Sequence, residues 1–74
     1  IARLQRMDSL IAMKATGPPE EFAYKMNLSR SMLFETLQEM KRMGVDIRYS
    51  NIRETYYYGD ARRIVIKVGI AVEN

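Results

Sequence analysis

The 74-residue sequence predicts one small α+β domain made of three helices, a β-hairpin and one further strand. Before Gly44, apolar residues recur at helical spacing in three successive segments. After Gly44, apolar and polar residues alternate as they do in strands, and turn-forming residues separate the segments. A chain of this length buries only about 60% of the surface that its unfolded form exposes. We therefore expect a single small core in one domain that spans residues 1–74.

The first helix is predicted over residues 2–15. Its apolar residues recur at helical spacing and are Leu4, Met7, Leu10 and Ile11. The polar residues fall mostly on the other side and are Arg3, Arg6, Asp8 and Lys14. We expect the segment 16–19 to end this helix, because glycine often terminates helices and proline lacks the N–H that a helix interior needs.

The second helix is predicted over residues 19–26. Pro19 suits the first position of a helix, where its missing N–H costs nothing. Glu20 and Glu21 follow it, and their carboxylates interact favourably with the positive end of the helix dipole. Since the dipole explains these glutamates, they are weak evidence for acid-base catalysis.

The third helix is predicted over residues 30–43, after a tight turn. Asn27 tolerates the left-handed conformation that such a turn requires, and Ser29 is a good N-cap. One side of the helix carries the predicted core residues, which are Leu33, Thr36, Leu37, Met40 and Met43. Gly44 is expected to close the helix as the first residue after its cap.

A β-hairpin is predicted over residues 46–59. Ile47 and Tyr49 alternate with polar neighbours, residues 51–54 have the composition of a turn, and residues 55–58 are rich in strand formers. The three consecutive tyrosines of this second strand are expected to be alternately packed and exposed.

A terminal strand is predicted over residues 64–72, where large apolar residues occupy every second position. An exposed apolar strand invites aggregation, so we expect it to pair with the hairpin, the first helix or a second copy of the chain. A homodimer through this strand is the favoured form.

Composition argues against an enzyme and against bound cofactors. The sequence contains no cysteine and no histidine, so disulfides, thiolate metal sites and the commonest general base are absent. No segment approaches the roughly 18 to 20 apolar residues that span a bilayer, and the start does not have the pattern of a signal peptide. We expect no membrane partner and a cytoplasmic location. The net charge of +3 modestly favours nucleic acid as a partner.

The second and third helices carry a recognisable residue pattern. It consists of the small Ala23 at the predicted crossing of two helices, Met26 and Leu28 around the turn, the start Ser29-Arg30-Ser31, and the series Leu33, Leu37, Met40 and Gly44. In this pattern the stretch from Pro19 to Gly44 resembles the helix-turn-helix of DeoR-type and biotin-repressor-type bacterial regulators. The likeness extends over residues 1–59 and identifies the domain as similar to a winged helix-turn-helix.

The resemblance implies sequence-specific binding to double-stranded DNA and a role in transcription regulation. The third helix would enter the major groove, and the hairpin would be the wing that contacts the backbone or the minor groove. The residues expected to reach bases are Arg30, Ser31, Phe34, Glu35 and Gln38, of which the glutamine amide is the best chemical match, to adenine. The residues expected to contact phosphates or to act from the wing are Lys14, Lys25, Arg42, Arg48 and Arg53.

An alternative function is protein–protein interaction without DNA binding, since a fold does not fix a function. Glu35 and Glu39 place carboxylates on or beside the face that would meet phosphates, and Phe34 is expected to be exposed there. Arg42 also has an alternative role, because a basic side chain in a last turn interacts favourably with the helix dipole. The sequence leaves both functions open.

Overall fold

The computed structural model describes residues 2–65, which form a small α+β domain. The helices are α1 (Ala2–Ala12), α2 (Pro19–Met26) and α3 (Arg30–Arg42). The strands β1 (Ile47–Ser50) and β2 (Thr55–Tyr58) form an antiparallel hairpin, with Ile47 opposite Tyr58 and Ser50 opposite Thr55. The predicted order of three helices and a hairpin is confirmed.

The core lies where the three helices meet the hairpin. Its buried apolar residues are Met7, Ile11, Phe22, Ala23, Leu33, Leu37, Met40, Ile47, Tyr56 and Ile64. The Tyr56 ring packs 5.6 Å from the Phe22 ring and 4.8 Å from the Tyr49 ring, between centroids. Such aromatic pairs contribute about 0.5–1.5 kcal/mol beyond their buried area. Tyr56 thus links the hairpin to α2.

The first helix is shorter than the predicted span 2–15, because α1 ends at Ala12. Lys14 adopts a left-handed backbone conformation with φ of 55°. The Ala15 N–H then donates to the Leu10 carbonyl at 2.9 Å, which is the hydrogen bond that closes a helix before a chain reversal. The segment 16–19 was expected to end the helix, but the reversal at Lys14 precedes it.

Two threonines tie the segment after α1 to the second strand. Thr16 Oγ1 accepts the Tyr56 N–H at 2.9 Å, and the Thr16 N–H donates to Thr55 Oγ1 at 3.2 Å. Both threonines are buried. Because these hydrogen bonds draw residue 16 onto β2, the chain must leave the helix before the predicted end.

The turn between α2 and α3 follows the predicted chemistry. Asn27 is left-handed, with φ of 57°, and Ser29 Oγ caps α3 by accepting the Met32 N–H at 3.1 Å. The helix ends at Arg42, one residue before the predicted end, because Met43 serves as its C-cap. Gly44 follows with φ of 109°, as expected of the first residue after the cap.

A buried carboxylate anchors the chain that follows the hairpin. Asp8 accepts the Tyr58 hydroxyl at 2.7 Å and the Arg63 guanidinium at 2.6 Å, although the helical pattern placed Asp8 on the exposed side of α1. Burial acts to raise the Asp8 pKa, but the hydrogen bonds from Arg63 and Tyr58 outweigh it and the pKa lies below its usual value. Burial and the bond to Asp8 raise the pKa of Tyr58.

The start of the predicted terminal strand is not a strand. Ile64 is buried in the core and Val65 is exposed, which fits the predicted alternation, but both have irregular backbone. Residues 66–72 of the prediction lie outside the described part of the chain. Pairing of two copies through this segment therefore stays a prediction.

Candidate functional site

The exposed side of α3 forms a shallow groove of about 580 Å³, which we call the α3 surface. It is lined by Ser31, Phe34, Glu35, Gln38, Glu39 and Arg42. The opposite side of the helix is buried through Leu33, Leu37 and Met40. This division follows from the helical period, because residues three and four apart share one face. Four of the five predicted base-contacting residues are therefore brought together in one groove.

The fifth predicted base-contacting residue, Arg30, lies at the start of α3. Its guanidinium lies 5.7 Å from the centroid of the Phe34 ring, and its Nη1 is 3.6 Å from Glu20 Oε1. The ring and the carboxylate both attract the cation, although an ion pair this exposed contributes little to stability. Arg30 is thereby held beside Phe34, which remains 40% exposed.

The charge of the α3 surface is not basic. Arg42 Nη2 donates to Glu39 Oε2 at 2.8 Å, so the nearest carboxylate already offsets this predicted phosphate contact. Glu35 forms no ion pair within residues 2–65. The surface therefore carries two carboxylates and one cation, and its Ser31, Gln38 and Glu35 side chains offer hydrogen-bonding groups to a partner.

A second group of predicted residues meets at the turn of the hairpin. Lys14 and Arg53 line a cleft of about 250 Å³, which we call the hairpin cleft; its other lining residues are Ser50, Thr55 and Tyr57. The Arg53 backbone N–H donates to Ser50 Oγ at 3.1 Å, which shapes the turn. In the part of the chain that is described, neither Lys14 nor Arg53 forms an ion pair.

Lys25 lies next to the hairpin cleft. Its ammonium group donates to the Ala15 carbonyl at 2.7 Å and lies 3.6 Å from Glu21 Oε2. It shares with Lys14 and Arg53 the rim of a neighbouring depression of about 530 Å³. Glu21 and Glu54 also line this depression, so it contains both positive and negative groups.

Arg48 lines neither the α3 surface nor the hairpin cleft. It is a residue of β1 and lies opposite Tyr57 of β2. Its Nη2 is 3.0 Å from Oδ2 of Asp46, with which it forms an ion pair. Its charge is therefore offset by the residue that directly precedes its own strand. The ten predicted site residues thus form the α3 surface with Arg30, and the hairpin cleft with Lys25, while Arg48 stands apart from both.

Sequence reasoning did not identify three lining residues of the hairpin cleft, namely Ser50, Thr55 and Tyr57. One signal was present, because residues two apart on a strand share a face and Thr55 and Tyr57 have that spacing. No local signal places Lys14 beside them. That placement depends on the hydrogen bonds between Thr16 and the second strand, across 39 residues of sequence.

Two further properties concern residues 2–65 only. They contain no cluster of three or more acidic side chains that is arranged to hold a metal ion. None of their helices is long and apolar enough to cross a membrane.

In comparisons with protein-family models, with curated proteins and with solved structures, we found no match.

Proposed function

We propose that this chain is a winged helix-turn-helix domain that binds double-stranded DNA, with α3 in the major groove and the hairpin as the wing. The observation that carries the proposal is the α3 surface. Side chains that can read base edges occupy the outer side of a capped helix whose inner side is buried in the core. A helix has the width that the major groove admits, and residues near its N-terminus reach bases first.

The chemistry of the α3 surface supports reading of base edges. The Gln38 amide suits the N6 and N7 groups of adenine, and the Glu35 carboxylate can accept from the cytosine amino group. Arg30 is held beside Phe34 at the start of the helix, where a guanidinium suits O6 and N7 of guanine. A surface of this kind is suited to sequence preference more than to strong nonspecific attraction.

The turn between α2 and α3 supports the helix-turn-helix assignment. Asn27 reverses the chain within one left-handed residue, and Ser29 caps the next helix at once. Phe22 and Ala23 of α2 and Leu33 of α3 then share the core. This arrangement lets α2 support α3 from behind while the outer side of α3 remains open to a duplex.

Phosphate contacts are proposed at the wing. Lys14 and Arg53 carry charges that no carboxylate in residues 2–65 offsets through an ion pair, whereas Arg42 and Arg48 are each paired. A cation that neutralises a phosphate releases counterions from the DNA, and this release favours binding. A cation without an ion pair can do so without first leaving a carboxylate. We therefore assign the main backbone contacts to Lys14 and Arg53. A role in transcription regulation belongs to the same proposal.

Protein–protein interaction is the second candidate function. It is favoured by Glu35, which has no ion pair among the described residues and would stand close to phosphates, and by the exposed ring of Phe34. An aromatic side chain at the centre of a contact surface is typical of a protein interface. This function requires a partner that covers Phe34 in the absence of DNA.

Selection of duplexes from a random pool tests the proposal, at two salt concentrations and with the full 74-residue chain. We expect enrichment of related sequences and steep weakening of binding as salt increases. Gln38→Ala should change the enriched sequences, whereas Arg53→Ala should weaken all sequences similarly. Arg6→Ala, which removes an exposed cation from α1, is the matched control.

Failure to retain any duplex at low salt would contradict the proposal. The protein-interaction function would then be the one to test, with Phe34→Ala as the variant that should release the partner.

A further inference from the structure

We propose that the hairpin cleft binds one phosphate group of the DNA backbone, held jointly by Lys14 and Arg53. This inference rests on the proposed function and adds to it a defined anion site. The two cations line one cleft of about 250 Å³, together with Ser50, Thr55 and Tyr57. None of these five lining residues is acidic, so an anion in the cleft meets no lining carboxylate.

The surrounding charges favour this cleft over the cationic positions that already form ion pairs. Arg30, Arg42, Arg48 and Arg62 each lie within 3.6 Å of a carboxylate oxygen. Lys25 is also within 3.6 Å of Glu21. Among the predicted phosphate contacts, Lys14 and Arg53 are the pair without such a partner in residues 2–65. Glu21 and Glu54 line the neighbouring depression, which Lys14 and Arg53 also border, and they do not line the cleft itself.

The backbone holds Lys14 in place at the cleft. Its left-handed conformation turns the chain out of α1, and Thr16, two residues later, is fixed to Thr55 and Tyr56 by buried hydrogen bonds. Thr55 is itself a lining residue. The base of the lysine is therefore positioned before any ligand arrives, which reduces the ordering cost of binding.

Neutral hydrogen-bond donors complete the site. The Ser50 hydroxyl accepts the Arg53 N–H at 3.1 Å and keeps its own proton to donate. The Tyr57 phenol is a second hydroxyl in the lining. The cleft volume is several times the ~30 Å³ that one water molecule occupies in the liquid. A phosphate group with some of its water therefore fits in the cleft that the two cations line.

The slope of log K against log[salt] tests whether the two cations share one phosphate. Each phosphate neutralised on B-DNA contributes about 0.9 to this slope. If Lys14 and Arg53 share a phosphate, the Lys14→Ala/Arg53→Ala double variant should lose about 0.9 in total. If they contact separate phosphates, the losses add to about 1.8 and the shared site is wrong.

Arg62→Ala is the matched control, because Arg62 is an exposed cation near the hairpin that is already paired with Asp60 at 2.6 Å. We expect its slope to equal that of the wild type. Thermal unfolding of all variants verifies that the fold is retained. A double variant that binds duplex with the wild-type slope overturns the cleft assignment and the assignment of the main backbone contacts to Lys14 and Arg53, while the proposal that α3 binds duplex DNA stands.

Titration with inorganic phosphate separates the backbone from a free phosphate compound as the source of the ligand. We expect millimolar phosphate to shift the amide NMR signals of Ser50 and Thr55 in the wild type and not in the double variant. If phosphate shifts these signals but the wild type binds no duplex, both the proposed function and the backbone assignment are overturned. If the wild type binds duplex and phosphate leaves the signals unchanged, the cleft assignment alone is overturned.

Discussion

The hydroxyl oxygens of Thr16 and Thr55 lie 3.0 Å apart, although 39 residues separate them in the sequence. Around this contact, the Thr16 N–H donates to Thr55 Oγ1 and the Tyr56 N–H donates to Thr16 Oγ1. The pair replaces backbone pairing between the segment after α1 and β2. It fixes the position of the hairpin relative to the helices, and with it the position of the hairpin cleft.

Thr16→Val should destabilise the domain. Valine has nearly the shape of threonine but leaves the buried Tyr56 N–H without an acceptor, which costs about 1–3 kcal/mol. Urea denaturation followed by circular dichroism measures this loss. Thr36→Val is the control, because Thr36 is half-buried and donates its hydroxyl to the Met32 carbonyl of its own helix. An effect of Thr16→Val no larger than that of Thr36→Val would contradict the role of the pair.

Asp8→Asn should destabilise the domain at neutral pH by about 1–3 kcal/mol, because a buried carboxylate that accepts from Tyr58 and Arg63 is lost. The figure stays in this range because Arg63 is about half exposed and solvent screens its charge. A domain of this size should then melt about 4–8 °C lower per kcal/mol. Asp60→Asn, which affects an exposed ion pair, should have a much smaller effect.

The same carboxylate should make stability depend on acid pH. The Asp8 pKa is lowered in the folded state, so its contribution is complete above the unfolded value of about 3.9 and is lost as pH falls through the folded value. Melting temperatures between pH 6 and pH 2 should therefore fall more steeply for the wild type than for Asp8→Asn. Parallel curves would show that Asp8 contributes nothing to the acid sensitivity.

Asn27→Ala should destabilise the turn between α2 and α3. A left-handed backbone costs an ordinary L residue about 1–2 kcal/mol, while glycine adopts it freely. Asn27→Gly should therefore retain most of the stability that Asn27→Ala loses in chemical denaturation. Asn51→Ala is the control, since Asn51 is exposed in a turn without a positive φ. Equal losses at both positions would indicate that the left-handed conformation does not matter.

Glu35→Lys should strengthen duplex binding. It replaces a carboxylate on the α3 surface with a cation, and a new phosphate contact would steepen the salt slope by about 0.9. Stability should change by less than about 0.5 kcal/mol, because the site is exposed and unpaired within residues 2–65. Fluorescence anisotropy with a selected duplex measures the effect, and Glu35→Gln separates loss of repulsion from gain of attraction. Weaker binding by both variants would contradict the expected repulsion and would indicate that the Glu35 carboxylate contacts a base of the selected duplex.

Local chemistry made part of the fold predictable. Asn27, Ser29 and Gly44 each act on their immediate neighbours, so their roles could be assigned from the residue types. The helical period likewise placed Leu33, Leu37 and Met40 in the core and the predicted base-contacting residues on the outer side of α3. Met43 was predicted on the core side as well, but it is the C-cap and its side chain is 54% exposed.

Long-range contacts decided what the sequence did not predict. Asp8 has the spacing of an exposed helix residue, and only Tyr58 and Arg63, some 50 residues later, make its burial favourable. The predicted end of α1 was wrong for the same reason, because Thr16 forms hydrogen bonds to Thr55 and Tyr56 of β2. The hairpin cleft depends on both local and long-range structure. Arg53 belongs to the hairpin turn, whereas Lys14 follows α1 and is brought to the cleft by long-range contacts.

The burial of Ile64 has a consequence for synthesis of the chain on the ribosome. The core includes this residue, which follows the hairpin, and Arg63 beside it neutralises the carboxylate of α1. A nascent chain that has emerged only to Gly59 contains every helix and strand described, but lacks a core side chain and leaves Asp8 without its cation. Cooperative folding should therefore wait until residue 64 has left the exit tunnel, and shorter nascent chains should remain sensitive to protease.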